Sequence, residues 1–214
     1  NHGFGARRVP LETRYYEVYN QPNVELVDLT ETPIERATPT GIRTAARDHD
    51  FDMIIYATGF DALTGAFNRI DIRGVGGEKL RDTWEEGAET FVGMSVEGYP
   101  NMLMLLGPHT ALGNIPRSIE YNVEWVTDLL RFMRDSGLTR VDARPEGVLD
   151  WLETVHEASA GLLSNDVNSW FTGVNTNVEG KQTRRISRYS GSAPAYRARC
   201  DEVAADGYGE MDLR

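Results

Sequence analysis

Phe51-Asp-Met-Ile-Ile-Tyr-Ala-Thr58, followed by Gly59-Phe60, is the stretch that decides how this chain reads. Its nearly continuous apolar run, ending in small residues and glycine, predicts a strand buried on both faces, as in a parallel sheet covered by helices. At the carboxyl end, Ala57, Thr58 and Gly59 let another backbone or a ligand come close, which is where open α/β sheets gather ligands. The same residues also describe a buried strand with an ordinary turn after it, and local physics leaves both readings open. A second such run, Asn101-Met-Leu-Met-Leu-Leu106, stops at Gly107-Pro108. Residues 24–29 alternate apolar and polar after a turn-like Asn20-Gln-Pro-Asn23 and read as a short strand. Residues 34–36 and 42–44 flank Pro39-Thr-Gly41 and predict a hairpin.

Outward from these strands, the 214 residues suffice for one large domain or two small ones. Hydrophobic residues at 40% and charged residues at 26% exclude a disordered tract. The longest apolar run, 102–106, falls far short of the roughly 20 residues that span a bilayer. Twenty-two Lys and Arg against 33 Asp and Glu leave a net charge of −11. That charge repels phosphate backbones and argues against nucleic acid, although a local basic pair can still hold one phosphate. Cys200 is the single cysteine, which excludes a disulfide framework and a cysteine-rich zinc site and suits a reducing cytoplasm. No signal-peptide pattern is seen. The opening at Asn1 gives the expectation of a fragment or a processed piece.

The remainder is helical. Ile119, Val123, Val126, Leu130 and Met133 form one predicted stripe of a helix ending near Gly137, with Asn114 as N-cap and Pro116 in the first turn. Val148, Leu152, Val155 and Leu162 predict a second helix, and Tyr196, Cys200 and Val203 a short third. Residues 164–181, rich in Asn, Gly and Thr yet carrying Trp170 and Phe171, read as a loop.

Several motifs bear on chemistry. Gly107-Pro-His-Thr-Ala-Leu-Gly-Asn-Ile-Pro116 runs from an expected strand into the long helix, whose N-terminus offers free N–H groups to an electron-rich or anionic ligand. A plain strand-to-helix connection fits it as well. His109 has no partner at metal-ligand spacing, and no role is assigned to His2, His49 or His156. Arg7-Arg8 is a compact double positive charge suited to phosphates or developing oxyanions, or simply solvated. Trp170 either stacks on a ligand ring or fills a core gap. Gly74-Val-Gly-Gly77 reads as a hairpin turn, and neither a G-x-G-x-x-G motif nor a P-loop occurs.

Taken in order, these segments resemble one family, the Baeyer–Villiger monooxygenases of the cyclohexanone and phenylacetone monooxygenase type. The resemblance covers practically the whole chain: Phe4-Gly-Ala-Arg-Arg8, Tyr15-Tyr-Glu-Val-Tyr-Asn20, the Ala57-Thr-Gly-Phe60 core, Ile70-Asp-Ile-Arg-Gly74, Gly107-Pro108, Ser118-Ile-Glu120, Val123-Glu-Trp125, Ser169-Trp170 and Lys181. It implies an α/β fold, the C-terminal portion of a flavoprotein with two dinucleotide-binding domains. Residues 1–57 would close the NADP domain and 58–214 would form the C-terminal part of the FAD domain.

The resemblance further implies FAD and NADP as cofactors, and oxygen insertion beside a ketone carbonyl through a peroxyflavin to give an ester or lactone. Arg7 matches the residue for the NADP 2′-phosphate and Arg8 the catalytic arginine. Ala57, Thr58, Gly59, Gly107, Asn114, Ile115 and Trp170 would contact cofactors, and Leu112 and Gly113 would border the substrate pocket. The partners implied are a ketone, molecular oxygen and an N-terminal portion of the same enzyme carrying both G-x-G-x-x-G motifs; without it, the 214 residues alone are expected to be inactive. The chain departs from the family at Gly173-Val-Asn-Thr-Asn-Val-Glu-Gly-Lys181, two residues longer than the usual pattern, with Glu179 where proline is usual. Two other readings remain at this level: a nitrogen- or sulfur-oxidising flavin monooxygenase, and an inactive stand-alone binding module.

Overall fold

The computed structural model describes residues 3, 4, 6 and 9–214. The contacts divide the chain into two units: residues 9–59, and residues 60–214 with the few described residues at the start. The first unit holds a single helical turn, α1 (Tyr15–Val18), and a three-stranded antiparallel meander, β1 (Ile34–Thr38), β2 (Gly41–Thr44) and β3 (Asp48–Asp50). The predicted hairpin forms, with Thr38 opposite Gly41 and Ile34 opposite Thr44. A Cβ on Gly41 would sit 1.9 Å from the His49 carbonyl oxygen, so only glycine lets β3 close against β2.

Two predicted strands of this unit do not form. Residues 24–29 and 51–58 form no strand, although Phe51 N–H donates to the Thr40 carbonyl at 2.9 Å, and Met53, Ile55 and Tyr56 are more than three-quarters exposed. The apolar run encodes a strand that needs neighbours on both edges and cover on both faces. No described strand pairs with it. The third predicted strand fails too: residues 101–106 run irregularly, although Met104 N–H donates to the Met94 carbonyl at 2.8 Å.

In the second unit, α2 (Gly65–Asn68) and α3 (Leu80–Thr83) are single turns on either side of a tight hairpin. The predicted turn at Gly74–Gly77 is present, bridged by Arg73 and Lys79 with Gly74 N–H bonded to the Glu78 carbonyl at 2.9 Å. The long helix α4 (Ile115–Asp135) is followed by β4 (Val141–Ala143), α5 (Pro145–Ser159), α6 (Ala193–Ala205) and β5 (Met211–Leu213), which pairs antiparallel with β4. Asn114 caps α4 as expected, its Oδ1 accepting from Arg117 N–H at 3.3 Å, with Pro116 in the first turn.

The buried face of α4 is Asn122, Trp125, Leu129 and Met133; Met133 is buried as predicted, while the other three lie one residue before the predicted Val123, Val126 and Leu130. Trp125 turns the helix, because its ring packs edge-on against Tyr208 and its Nε1–H donates to the Cys200 carbonyl at 2.8 Å. Val123 and Leu130 are left on the surface. In α5, Val148 and Val155 are buried as predicted, but the helix stops at Ser159 and Leu162 lies beyond it, after Gly161 at φ 73°. α6 buries Tyr196, Cys200 and Val203 as expected. These helices share one core with Phe91, Met94, Trp151, Tyr189 and Met211, and a smaller cluster gathers Leu80, Trp84, Val96, Tyr99 and Met104.

Candidate functional site

The segment from Gly107 to Ile115 is built from its tightest contacts outward. Gly107 is buried, and a Cβ there would lie 2.4 Å from the Gly93 carbonyl oxygen. Gly93, at φ 70°, in turn faces Thr110, whose Cγ2 a Cβ would meet at 2.4 Å. Two non-glycine residues, Leu106 at φ 59° and His109 at φ 68°, adopt left-handed backbone on either side of Gly107-Pro108. Such conformations cost about 1 kcal/mol or more each and persist only where surrounding contacts impose them.

His109 supplies those contacts. It is 1% exposed; its Nε2–H donates to the Ile186 carbonyl at 3.0 Å, and Nδ1 lies 3.2 Å from the Thr90 hydroxyl. Only Nε2 can carry the proton toward a carbonyl, which fixes the neutral tautomer. Burial lowers its pKa to about 4. The imidazole therefore pins the loop to residues 90 and 186 as an uncharged bracket.

Beyond His109 the chain turns outward. Ala111 is buried and forms a parallel bridge with Tyr189, Leu112 is half-buried, and Gly113, Asn114 and Ile115 are exposed at the start of α4. No acid occupies the first turn of that helix. A side chain on Gly113 would meet nothing within 4 Å, so the backbone there stands open.

Trp170 lies on a short turn, Trp170–Thr172, closed by a capping box between Ser169 and Thr172. Its indole is 42% exposed and packs against Phe171 at 4.2 Å between ring centres. Residues 185–189 tie this turn to the entrance of α4. Arg185 N–H donates to the Thr172 carbonyl at 2.8 Å, His109 N–H to the Ser187 carbonyl at 3.4 Å, and Tyr189 bridges Ala111. Gly107, Leu112, Gly113, Asn114, Ile115 and Trp170 thus share one framework. Ala57, Thr58 and Gly59 belong to the unit of residues 9–59, where they are exposed and Gly59 takes φ 84°. Arg7 and Arg8 lie outside the described residues.

Sequence reading missed the tie formed by residues 185–189, the His109 bracket and the anchor of the long loop. In that anchor, Lys181 Nζ pairs with the Asp61 carboxylate and donates to the Thr64 hydroxyl at 2.8 Å, both ends of the ion pair being mostly buried. Beside it opens a cavity of about 370 Å³ next to Trp84, whose Nε1–H is buried without a partner. The one available signal was charge: Lys181, Arg184, Arg185 and Arg188 fall within eight residues of an acidic chain. Cys200 is fully buried, and burial raises its thiol to about 12, so it serves packing.

No family model matches the chain. It is 41% identical over 215 residues to 2-oxo-Delta(3)-4,5,5-trimethylcyclopentenylacetyl-CoA monooxygenase of Pseudomonas putida, covering 100% of this chain and 39% of that protein. It is 42% identical over 212 residues to the methyl acetate-forming acetone monooxygenase of Gordonia sp., covering 97% and 39%. A phenazine N-monooxygenase of Lysobacter antibioticus matches at 37% over 204 residues, covering 95% and 37%. Among solved structures, a closed form of cyclohexanone monooxygenase superposes with a TM-score of 0.92 at 38% identity, covering 99% of this chain and 40% of the other. In sequence and fold the chain is similar, over its whole length, to Baeyer–Villiger-type monooxygenases. It spans about two-fifths of the length of the relatives it matches.

Proposed function

We propose that the chain is the C-terminal part of an FAD- and NADPH-dependent monooxygenase that inserts oxygen next to a ketone carbonyl, giving an ester or lactone. In this reading residues 1–57 end the NADP domain and residues 58–214 belong to the FAD domain, with the activity placed in the cytoplasm. The observation that carries it is the match over the whole chain to ketone monooxygenases, at 41–42% identity. The exposed apolar run 51–58 supports a covering N-terminal portion, because more than three-quarters of Met53, Ile55 and Tyr56 is open to water.

The residues present fit the two cofactors. The first turn of α4 is exposed and free of acid and carries the positive end of a 21-residue helix, which suits an electron-rich flavin edge above Gly113, Asn114 and Ile115. Trp170 offers an exposed aromatic face beside a basic stretch, which suits a nicotinamide dinucleotide. Gly107 keeps the loop low enough for this approach. Flavin reduced by NADPH supplies the activation of dioxygen. Arg7 holds the 2′-phosphate, Arg8 holds positive charge where negative charge develops during oxygen insertion, and Leu112 and Gly113 border the ketone.

Arg8→Ala in the complete enzyme tests the reading. A fixed charge of this kind is worth about 3–4 kcal/mol, so ketone oxygenation falls by a factor of several hundred while NADPH still reduces the flavin. Ketone oxygenation that survives the substitution overturns the assignment. Wild-type enzyme that oxidises amines or sulfides but no ketone favours the reading suggested by the phenazine N-monooxygenase. The relatives' named substrates run from acetone to a CoA thioester, so this chain's preference must come from its own residues.

A further inference from the structure

Arg188 is a cation that the proposed function leaves unused. It is half-buried, and among the described residues it forms no hydrogen bond or ion pair. Its neighbours in the basic stretch are all engaged: Lys181 with Asp61, Arg184 with Asn168 at 2.7 Å, and Arg185 with Glu86 at 3.5 Å and the Glu85 carbonyl. The guanidinium of Arg188 lies instead over the Phe171 ring, 4.3 Å from its centre. Stacking holds the planar group in place and leaves its N–H fork free along the edges. Burial disfavours the charge and lowers the pKa, with no neighbouring carboxylate to oppose that effect.

Its position gives the free fork a use. Tyr189 turns into the core against Trp151 and Tyr196 and bridges Ala111, which is buried on the same side. The residues next to that bridge, Arg188 and Leu112, are both only half-buried. In that parallel register Arg188 runs alongside Thr110, two residues before Leu112 on the same strand-like stretch, and its guanidinium lies over Phe171, which packs against Trp170. An unpaired, partly desolvated guanidinium is costly unless an anion completes it, and a carboxylate matches its fork in two parallel hydrogen bonds.

We propose that Arg188 is a specificity-determining residue that selects ketones bearing an anionic group, a carboxylate in the simplest case, and anchors that group while the carbonyl lies at the Leu112–Gly113 edge. The inference rests on the ketone monooxygenase reading. The test uses the complete enzyme and a matched pair of probes, a cyclic ketone with an acetate side chain and its methyl ester. In Arg188→Gln the KM for the acid rises about 10- to 100-fold, the loss expected for a charge-assisted hydrogen bond, while kcat changes little. The ester and NADPH keep their KM values, the FAD absorption spectrum is unchanged, and Arg188→Lys restores part of the preference for the acid.

Three results overturn the inference. In the first, acid and ester lose equally, which makes Arg188 a packing residue. In the second, the KM for NADPH rises instead, which assigns the fork to a cofactor phosphate. In the third, the wild-type enzyme shows no preference for the acid. An enzyme that holds FAD, consumes NADPH and oxygenates neither probe nor any neutral ketone points to failure of the underlying reading instead.

Discussion

At the scale of single residues, the group whose environment says most is His109. Its ring is buried, its one proton is committed to the Ile186 carbonyl, and burial pulls its pKa to about 4. A histidine with a folded pKa below its unfolded value of 6.5 binds more protons when unfolded. Its neutral form therefore supports the fold above pH 6.5, and that support is lost as the pH falls from 6.5 toward 4. The full effect is about 3 kcal/mol. His109→Asn accepts the left-handed backbone and has no proton to gain in this range. We expect wild type to lose more stability than this variant between pH 6.5 and 4, read as urea midpoints across the series. Parallel curves would show that the ring is not held neutral. Nothing in the sequence around His109 marks this role, because its partners Thr90 and Ile186 lie 19 and 77 residues away.

Whole elements were legible where their information is local. The α4 cap at Asn114, Pro116 in the first turn, the stop near Gly137 and the 39–41 hairpin turn depend on residues within a few positions of one another. The phase of α4 did not, since Trp125 bonds to Cys200 and so sets which face is buried. The strands failed for the same reason on a larger scale: residues 24–29, 51–58 and 101–106 show their preference for burial, while pairing depends on other strands. The α4 entrance itself separates stability from cofactor holding. Asn114→Ala removes the cap and costs about 1 kcal/mol. Asn114→Asp caps equally well and favours the helix dipole, so stability is unchanged or slightly raised. It also adds negative charge where the electron-rich flavin edge would approach. In the complete enzyme, FAD should therefore dissociate more readily from Asn114→Asp than from wild type, measured by retained flavin absorbance after gel filtration. Equal retention would remove the flavin from this helix terminus.

For the molecule as a whole, the two units differ in how much of their apolar sequence is satisfied. Residues 60–214 enclose two clusters, with Phe91, Trp151 and Cys200 fully buried. Residues 9–59 leave Leu26, Met53, Ile55 and Tyr56 mostly in water, although their sequence is that of a covered sheet. The chain spans only 39% of the length of the relatives it matches, and under the proposed function the cover for this run would be further chain rather than a ligand. Ile55→Lys tests this directly. In the 214-residue chain Ile55 is 82% exposed, so lysine there changes stability by no more than about 0.5 kcal/mol. In a complete enzyme, where 51–58 would be a strand covered on both faces, the same lysine is buried without a partner and costs several kcal/mol. Soluble yield, FAD content and the urea midpoint of both lengths, each with and without the substitution, read the difference. The short chain should be indifferent and the long one should fail. A long form that keeps its flavin with Lys at position 55 would mean that the run 51–58 stays at the surface there too, and that the exposure seen in residues 9–59 is its finished state.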